Sequence, residues 1–197
     1  MGDPGPAADD SDLATSLVGL LSGLEVSDLL VEQNLLGRLE QVLAAAEGLL
    51  GVDRVGLMLL DEQDRLQVVG ASDAASSRLE RGQHQLGVGP AIDSLRTGRP
   101  VAVADLDPGS GEQPQYALLW EWLRGRDGSV GDEALLRSVL SVPVRTRGRV
   151  VGTLNLARSR PGDWSERQVL ACQAYADVIG VLLTLSTPGS SAGGGSP

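Results

Sequence analysis

The chain has 197 residues, of which 42% are apolar, enough for one ordinary domain with extensions and too little for two. Its net charge of −10 at pH 7 argues against general nucleic-acid binding, which needs basic surface. No run of 18 apolar residues is present to span a membrane, and the acidic, proline-broken N-terminus lacks the parts of a secretory signal, so a cytoplasmic protein is expected.

Residues 1–10 and 187–197 are rich in Gly, Pro and Ser, the composition of disordered tails. Between them, 11–186 reads as a single domain with an N-terminal helical extension. Leu13, Leu17, Leu20, Leu21 and Leu24 have helical spacing and predict a helix over 11–24. Ser27 can cap a second helix over 28–50, with Leu35, Leu39, Val42, Ala46 and Leu49 on one stripe and Gly51 as its stop. Arg54 to Leu60 and Arg65 to Ala71 read as a hairpin around a polar turn. Asp73 to Arg81 predicts a short helix, and Gln83 to Leu86 a strand.

Gly87 to Leu106 reads as one mechanical unit. Gly87 and Gly89 permit positive φ or close approach, and Pro90 suits the first position of a helix. Ala91 to Thr97 make about two turns, stopped by Gly98 and Pro100. Val101 to Ala104 then form a short apolar strand ending at Asp105. Such a unit commonly walls a pocket.

A long acidic, Gly-rich loop follows, with a helix expected over 114–123 that carries Tyr116, Trp120 and Trp122. Arg137 to Val144 and Val150 to Ala157 read as a second hairpin, with Gly148 in its turn. Pro143 cannot donate to a ladder, so a strand end, bulge or open edge is expected near it. Asp163 and Glu166 have capping-box spacing and start a helix to about Leu185. That helix has two apolar seams. Val169, Cys172, Ala176, Ile179 and Leu183 form one; Ala171, Tyr175, Val178, Leu182 and Leu185 form the other. One can cover a sheet and the other needs a further partner. A homodimer through a four-helix bundle is expected, with Leu17, Leu21, Tyr175, Val178, Leu182 and Leu185 as interface candidates.

The order of these segments resembles the GAF domain family. The likeness is carried by Leu49-Leu-Gly-Val-Asp-Arg-Val-Gly-Leu-Met-Leu-Leu60, by Gly87 to Leu106, and by Arg137-Ser-Val-Leu-Ser-Val-Pro-Val144. Gly148-Arg-Val-Val-Gly-Thr-Leu-Asn-Leu156 and Trp164-Ser-Glu-Arg-Gln168 complete it. It is greatest for GAF domains of actinobacterial regulators that often carry an RNA-binding ANTAR domain; here only a short tail follows Leu185, read as loss of that effector. The resemblance implies an α+β fold: an antiparallel sheet with N- and C-terminal helices on one face and short helices and loops on the other, enclosing a small-molecule pocket. It further implies a sensory or regulatory role through a helical dimer or a partner regulatory protein. The alternative is a degenerate scaffold used only for association.

Against that background the pocket candidates are Gly87, Gly89, Pro90, Asp93, Asp105, Trp120, Arg137, Ser141, Thr153 and Asn155. Alternation puts Arg137 and Ser141 on one face of their strand, and Thr153 and Asn155 on one face of theirs. Such small polar groups orient a ligand or simply occupy half-exposed sheet positions. Asp105 reads equally as a ligand-orienting carboxylate or a turn former; Asp93 reads first as a helix-surface charge and Trp120 first as an apolar plug. His84 reads as an edge residue, and Cys172 as a small buried hydrophobe.

All 16 basic residues are arginine, so lysine chemistry is excluded. One Cys and one His leave no disulfide framework, no Cys- or His-rich metal site and no nucleophile–base pair. The expectation is therefore a non-enzymatic protein with no catalytic residues, metal or cofactor. GAF-type free methionine sulfoxide reductases use several cysteines, and bilin-binding or haem-binding relatives need a Cys or His that is missing at the matching places. Six arginines and no acid lie between Ala134 and Gly162; Arg145, Arg147 and Arg149 crowd one turn, either as a solvated hairpin tip or as a surface for an acidic partner.

Overall fold

Two hairpins and one short edge strand build the sheet, in a computed structural model that describes residues 47–48, 50–111, 113–125 and 135–186. The tails, the 11–24 helix with Leu17 and Leu21, and most of the 28–50 helix lie outside the described residues. The strands are β1 (Arg54–Leu60), β2 (Leu66–Ala71), β3 (Val101–Val103), β4 (Ser138–Thr146) and β5 (Arg149–Arg158). They pair antiparallel in the order β2-β1-β5-β4-β3.

Local chemistry sets both turns. In the first, Asp61 Oδ1 accepts the Gln63 and Arg65 amides, each at 2.9 Å. In the second, Arg147 at φ 48° and Gly148 at φ 81° form the two-residue left-handed loop that suits strand twist. Pro143 sits inside β4, opposite Thr153, but β3 ends its pairing at Ser141. The proline therefore faces an open edge, and the register shifts between Val144 and Arg145 just beyond it.

The final helix, Glu166–Ser186, covers one sheet face. Its capping pair is Ser165 and Gln168, with the Gln168 amide donating to Ser165 Oγ and the Ser165 amide to Gln168 Oε1; Asp163 and Glu166 do not form the expected box. The buried stripe is Cys172, Tyr175, Ala176, Ile179 and Leu182, packed on Val55, Leu57, Leu140, Val142, Val144, Leu154 and Leu156 together with Leu50 and Val52. It draws from both expected seams, because a helix lying on a sheet buries a stripe wider than one 3/4 row. Tyr175 and Leu182 thus belong to the intramolecular core and are not free for an interface. Val178 packs partly against that core, and Leu185 is 52% exposed. By length and composition this helix alone among the described ones could cross a membrane; one of its apolar stripes lies on the sheet.

Three helices cover the opposite face, numbered α1 (Ala74–Leu86), α2 (Pro90–Thr97) and α3 (Ala117–Arg124), so the final helix is α4. A capping box between Asp73 and Ser76 starts α1, and Gly87 at φ 63° ends it with its amide bonded to the Gln83 carbonyl. Gln83 to Leu86 are therefore the last turn of α1 and not a strand: nothing breaks the helix before Gly87, and the segment has no β-branched residue to favour extension. His84 lies on that turn, its Nδ1 at 2.6 Å from the Leu66 carbonyl oxygen, tying α1 to β2. A second apolar core joins Leu79, Val103, Leu106, Tyr116, Leu119, Trp120, Leu123, Leu136 and Val139.

Candidate functional site

Strand alternation decides what the lid face presents. The odd positions of β4 and β5 and the even positions of β1 turn toward α1 and α2, bringing Ser141, Thr153, Asn155, Gly56 and Met58 inward, with the three polar side chains fully buried. Register sets Ser141 opposite Asn155, and Asn155 opposite Gly56, as one row across three neighbouring strands. Pro143, Thr153 and Met58 form the next row.

From above, α1 buries Ser76, Leu79, Glu80 and Gln83, a stripe with 3/4 spacing. Glu80 Oε2 accepts from Asn155 Nδ2 at 2.8 Å and from Gln83 Nε2 at 3.3 Å. Gln83 Oε1 in turn accepts the Ala91 amide at 2.8 Å, at the start of α2. Two glycines make room for this reach. A Cβ at Gly56 would overlap Glu80 Oε1, and one at Gly89 would come within 2.5 Å of Gln83 Oε1.

Burial makes Glu80 a poor anion. Loss of hydration pushes its carboxyl up to about 8, against the opposing hydrogen bonds of Asn155 and Gln83, so it is mostly neutral at pH 7. Around it, Glu80 Oε1, Asn155 Oδ1, Ser141 Oγ, Thr153 Oγ1 and Ser94 Oγ are buried and have no hydrogen-bond partner within the protein. Each such atom costs on the order of 1–3 kcal/mol relative to a paired one. Ser94 belongs to α2, which packs over β4 and β5. No arginine among the described residues is buried, and the half-buried Arg54, Arg137 and Arg145 on this face are held by Asp73, Asp105 and the Gly98 carbonyl.

The predicted site residues divide into groups. Ser141, Thr153 and Asn155 share the inward face of the sheet, where Asn155 bonds Glu80, while Gly89 and the Ala91 amide, on either side of Pro90, meet Gln83. Gly87 only turns the chain, with nothing near its Cβ position. Asp105, Arg137 and Trp120 form a separate brace. Asp105 accepts from Arg137 Nε at 2.7 Å, Asp107 lies 3.6 Å from the same guanidinium, and that guanidinium sits 5.4 Å over the Trp120 ring. The Arg137 hydrogen bonds hold the Asp105 carboxyl below its usual range. Asp93 pairs with Arg96 at 2.8 Å and accepts the Tyr116 hydroxyl at 2.6 Å, fastening the long loop to α2. Trp120 is buried in the second apolar core. The hairpin arginines separate as well: Arg145 donates to the Gly98 carbonyl and Arg149 pairs with Asp64.

Glu80, Gln83 and Ser94 were not singled out by the sequence. The sequence predicts a strand at Gln83, and Glu80 stands in a charged stretch where a solvated carboxylate is the default. The available signal was positional: Ser76, Leu79, Glu80 and Gln83 share the helix face of a buried leucine. Cys172 lies on the other side of the sheet, under α4, where burial pushes its thiol up to about 12. Among the described residues no three His, Cys, Asp or Glu side chains converge as metal ligands.

A sequence model of the GAF domain matches residues 34–183. No curated protein matches the chain. Among solved structures, it is similar to the GAF domain of a phosphoenolpyruvate-protein phosphotransferase from Coxiella burnetii, with TM-score 0.63 and 15% identity over 90% of this chain and 95% of that one. It is also similar to free methionine-R-sulfoxide reductase from Neisseria meningitidis in complex with its substrate, with TM-score 0.62 and 20% identity over 94% and 98%. The type II free methionine-R-sulfoxide reductase from Thermoplasma acidophilum gives 0.52 and 18% over 73% and 89%. At these identities the likeness is one of fold.

Proposed function

The chain belongs to the GAF domain family, and on that footing we propose that it is a non-enzymatic, cytoplasmic sensory or regulatory module that takes a small molecule between sheet and lid. The supporting observation is the set of unpartnered buried atoms on facing walls: Ser141, Thr153 and Asn155 below, Glu80 and Ser94 above. Native interiors rarely leave five such atoms in one layer. A polar ligand would satisfy them. Gln83 links α1 to α2 through the Ala91 amide, so a ligand that displaced Gln83 would loosen both helices together. The output would be a population shift read by a partner protein or by a second copy.

Thermal unfolding against a library of small metabolites tests this. A binder raises the midpoint in proportion to the logarithm of its concentration over its affinity, and Ser141→Ala with Thr153→Val should reduce that rise. A rise unchanged in the double variant puts the ligand elsewhere.

Two other readings rest on specific observations. Glu80 and Gln83 already reach the sheet and the glycine backbones, which favours a self-filled scaffold; a flat response to every compound would select it. The reductase neighbours raise catalysis, but the chain's single cysteine is buried on the far face with a raised thiol, so no thiolate meets the lid-side layer.

A further inference from the structure

Resting on the ligand-binding reading above, we infer that the lid-side layer selects by charge: it takes a small cationic nitrogen donor, of the amidinium or primary ammonium class, with Glu80 as counter-charge, and rejects phosphates and carboxylates.

The donors and acceptors on the walls are unequal. Asn155 Oδ1 can only accept, and Glu80 Oε1 accepts once the carboxyl is ionised, which a bound cation favours; the neutral acid that prevails at pH 7 without one carries an O–H donor instead. The three hydroxyls of Ser94, Ser141 and Thr153 turn either way. Each fixed amide already gives one N–H to Glu80 Oε2, Asn155 Nδ2 at 2.8 Å and Gln83 Nε2 at 3.3 Å, which leaves at most one N–H on each. Asn155 Oδ1 and an ionised Glu80 Oε1 are left without a donor, and an amidinium or ammonium brings several.

An anion would find no counter-charge there. The chain has no lysine, no described arginine is buried, and the half-buried arginines on that face are engaged, Arg137 by Asp105, Arg145 by the Gly98 carbonyl and Arg54 by Asp73. The usual backbone alternative, a helix N-terminus, offers little while Gln83 stays in place. At the start of α2, Pro90 has no N–H, and the Ala91 amide is taken by the neutral Gln83 carbonyl. A carboxylate or phosphate beside Glu80 would also repel the ionised form of that side chain. A cation does the reverse, since it favours the ionised carboxylate and turns Oε1 into a charged acceptor.

Isosteres that differ only in charge make the test direct. Acetamidinium, acetamide and acetate form one series, and benzamidinium, benzamide and benzoate a larger one. Each is titrated into the whole ¹⁵N-labelled chain at matched ionic strength while the Asn155 and Gln83 side-chain amide signals are followed. In at least one series the amidinium should move both signals with a Kd at least tenfold below that of its carboxylate. Glu80→Gln should bring the amidinium to within about twofold of the amide. A carboxylate that binds as well as its amidinium overturns the charge selection and leaves small-molecule binding standing; so does amidinium binding that ignores Glu80→Gln. If no probe moves either signal, the inference falls; silence in the metabolite library as well would take the binding reading with it. The wild-type series decides the sign of selection by itself, whatever the stability of the variant.

Discussion

Glu80 carries the clearest residue-scale consequence, because one buried carboxyl couples the lid to pH. Its value rises from 4.5 to about 8 on folding, so between those limits the folded chain holds a proton that the unfolded chain releases. Stability is then fully present below about 4.5, falls as pH rises, and levels off above about 8, with a slope of roughly 1.4 kcal/mol per unit at most. Urea unfolding across pH 5–8 should show this decline, and Glu80→Gln should flatten it. Parallel curves for the two proteins would mean that Glu80 is hydrated and ionised in the fold. Asp105 has the opposite sign: Arg137 holds its carboxyl low, so its contribution is lost only as pH falls through that lowered value. Asp105→Asn should cost about 2 kcal/mol by weakening a charged hydrogen-bond pair, seen as a lower urea midpoint at pH 7. No change there would mean that the brace is screened by solvent. At this scale Ser141, Thr153 and Asn155 were legible, because the two-residue period of a strand assigns faces without further information. Glu80 was not. Its type says surface, and only the approach of α1 to Gly56 carries it inside.

At the scale of elements, α4 and β4 meet more closely than side chains would allow. A Cβ at Gly180 would overlap the Arg145 carbonyl oxygen, and a backbone atom inside a sheet cannot swing away as a side-chain tip can. On an open helix, Gly to Ala gains about 1 kcal/mol. Here Gly180→Ala should instead lose about 1–3 kcal/mol, the range for overpacking. Gly162→Ala, with nothing within 4 Å of its Cβ position, is the control and should leave the urea midpoint almost unmoved. A neutral or stabilising Gly180→Ala would mean that α4 rides farther from the sheet than described. The elements themselves were largely legible from period and punctuation: both hairpins, the Gly87–Gly98 helix unit and the last helix follow from them. The misreading of Gln83 to Leu86 has a local cause. Four residues with one apolar member have no usable period, and a cap at Asp73 determines their state from ten residues away.

For the whole molecule, the sheet separates two unlike layers. Leu154 and Leu156 face an apolar seam on α4, while their neighbours Thr153 and Asn155 face the polar layer under α1 and α2. The order of segments was enough to foresee a sheet between two layers of helices. It could not show what fills the lid side, since that depends on how far side chains reach across a gap set by tertiary packing. The outward face of α4 poses the remaining question of assembly. Leu170, Val181 and Leu185 are 63%, 55% and 52% exposed, and Ala174 and Val178 lie between them at helical spacing. Leu170, Ala174, Val181 and Leu185 form one outward strip, with Val178 at its edge against the core. We propose a second copy of the chain on that strip, with the leucines expected over 11–24 completing a bundle. The interface candidates are then Leu185 and Val178, joined by Leu170 and Val181, in place of Tyr175 and Leu182. Sedimentation at micromolar concentration should give a dimer. Val181→Glu with Leu185→Glu should give a monomer with an unchanged urea midpoint after correction for protein concentration, because neither side chain supports the sheet core. A wild-type monomer would refute the dimer, and a monomeric variant that unfolds early would show that the strip is covered from within the same chain.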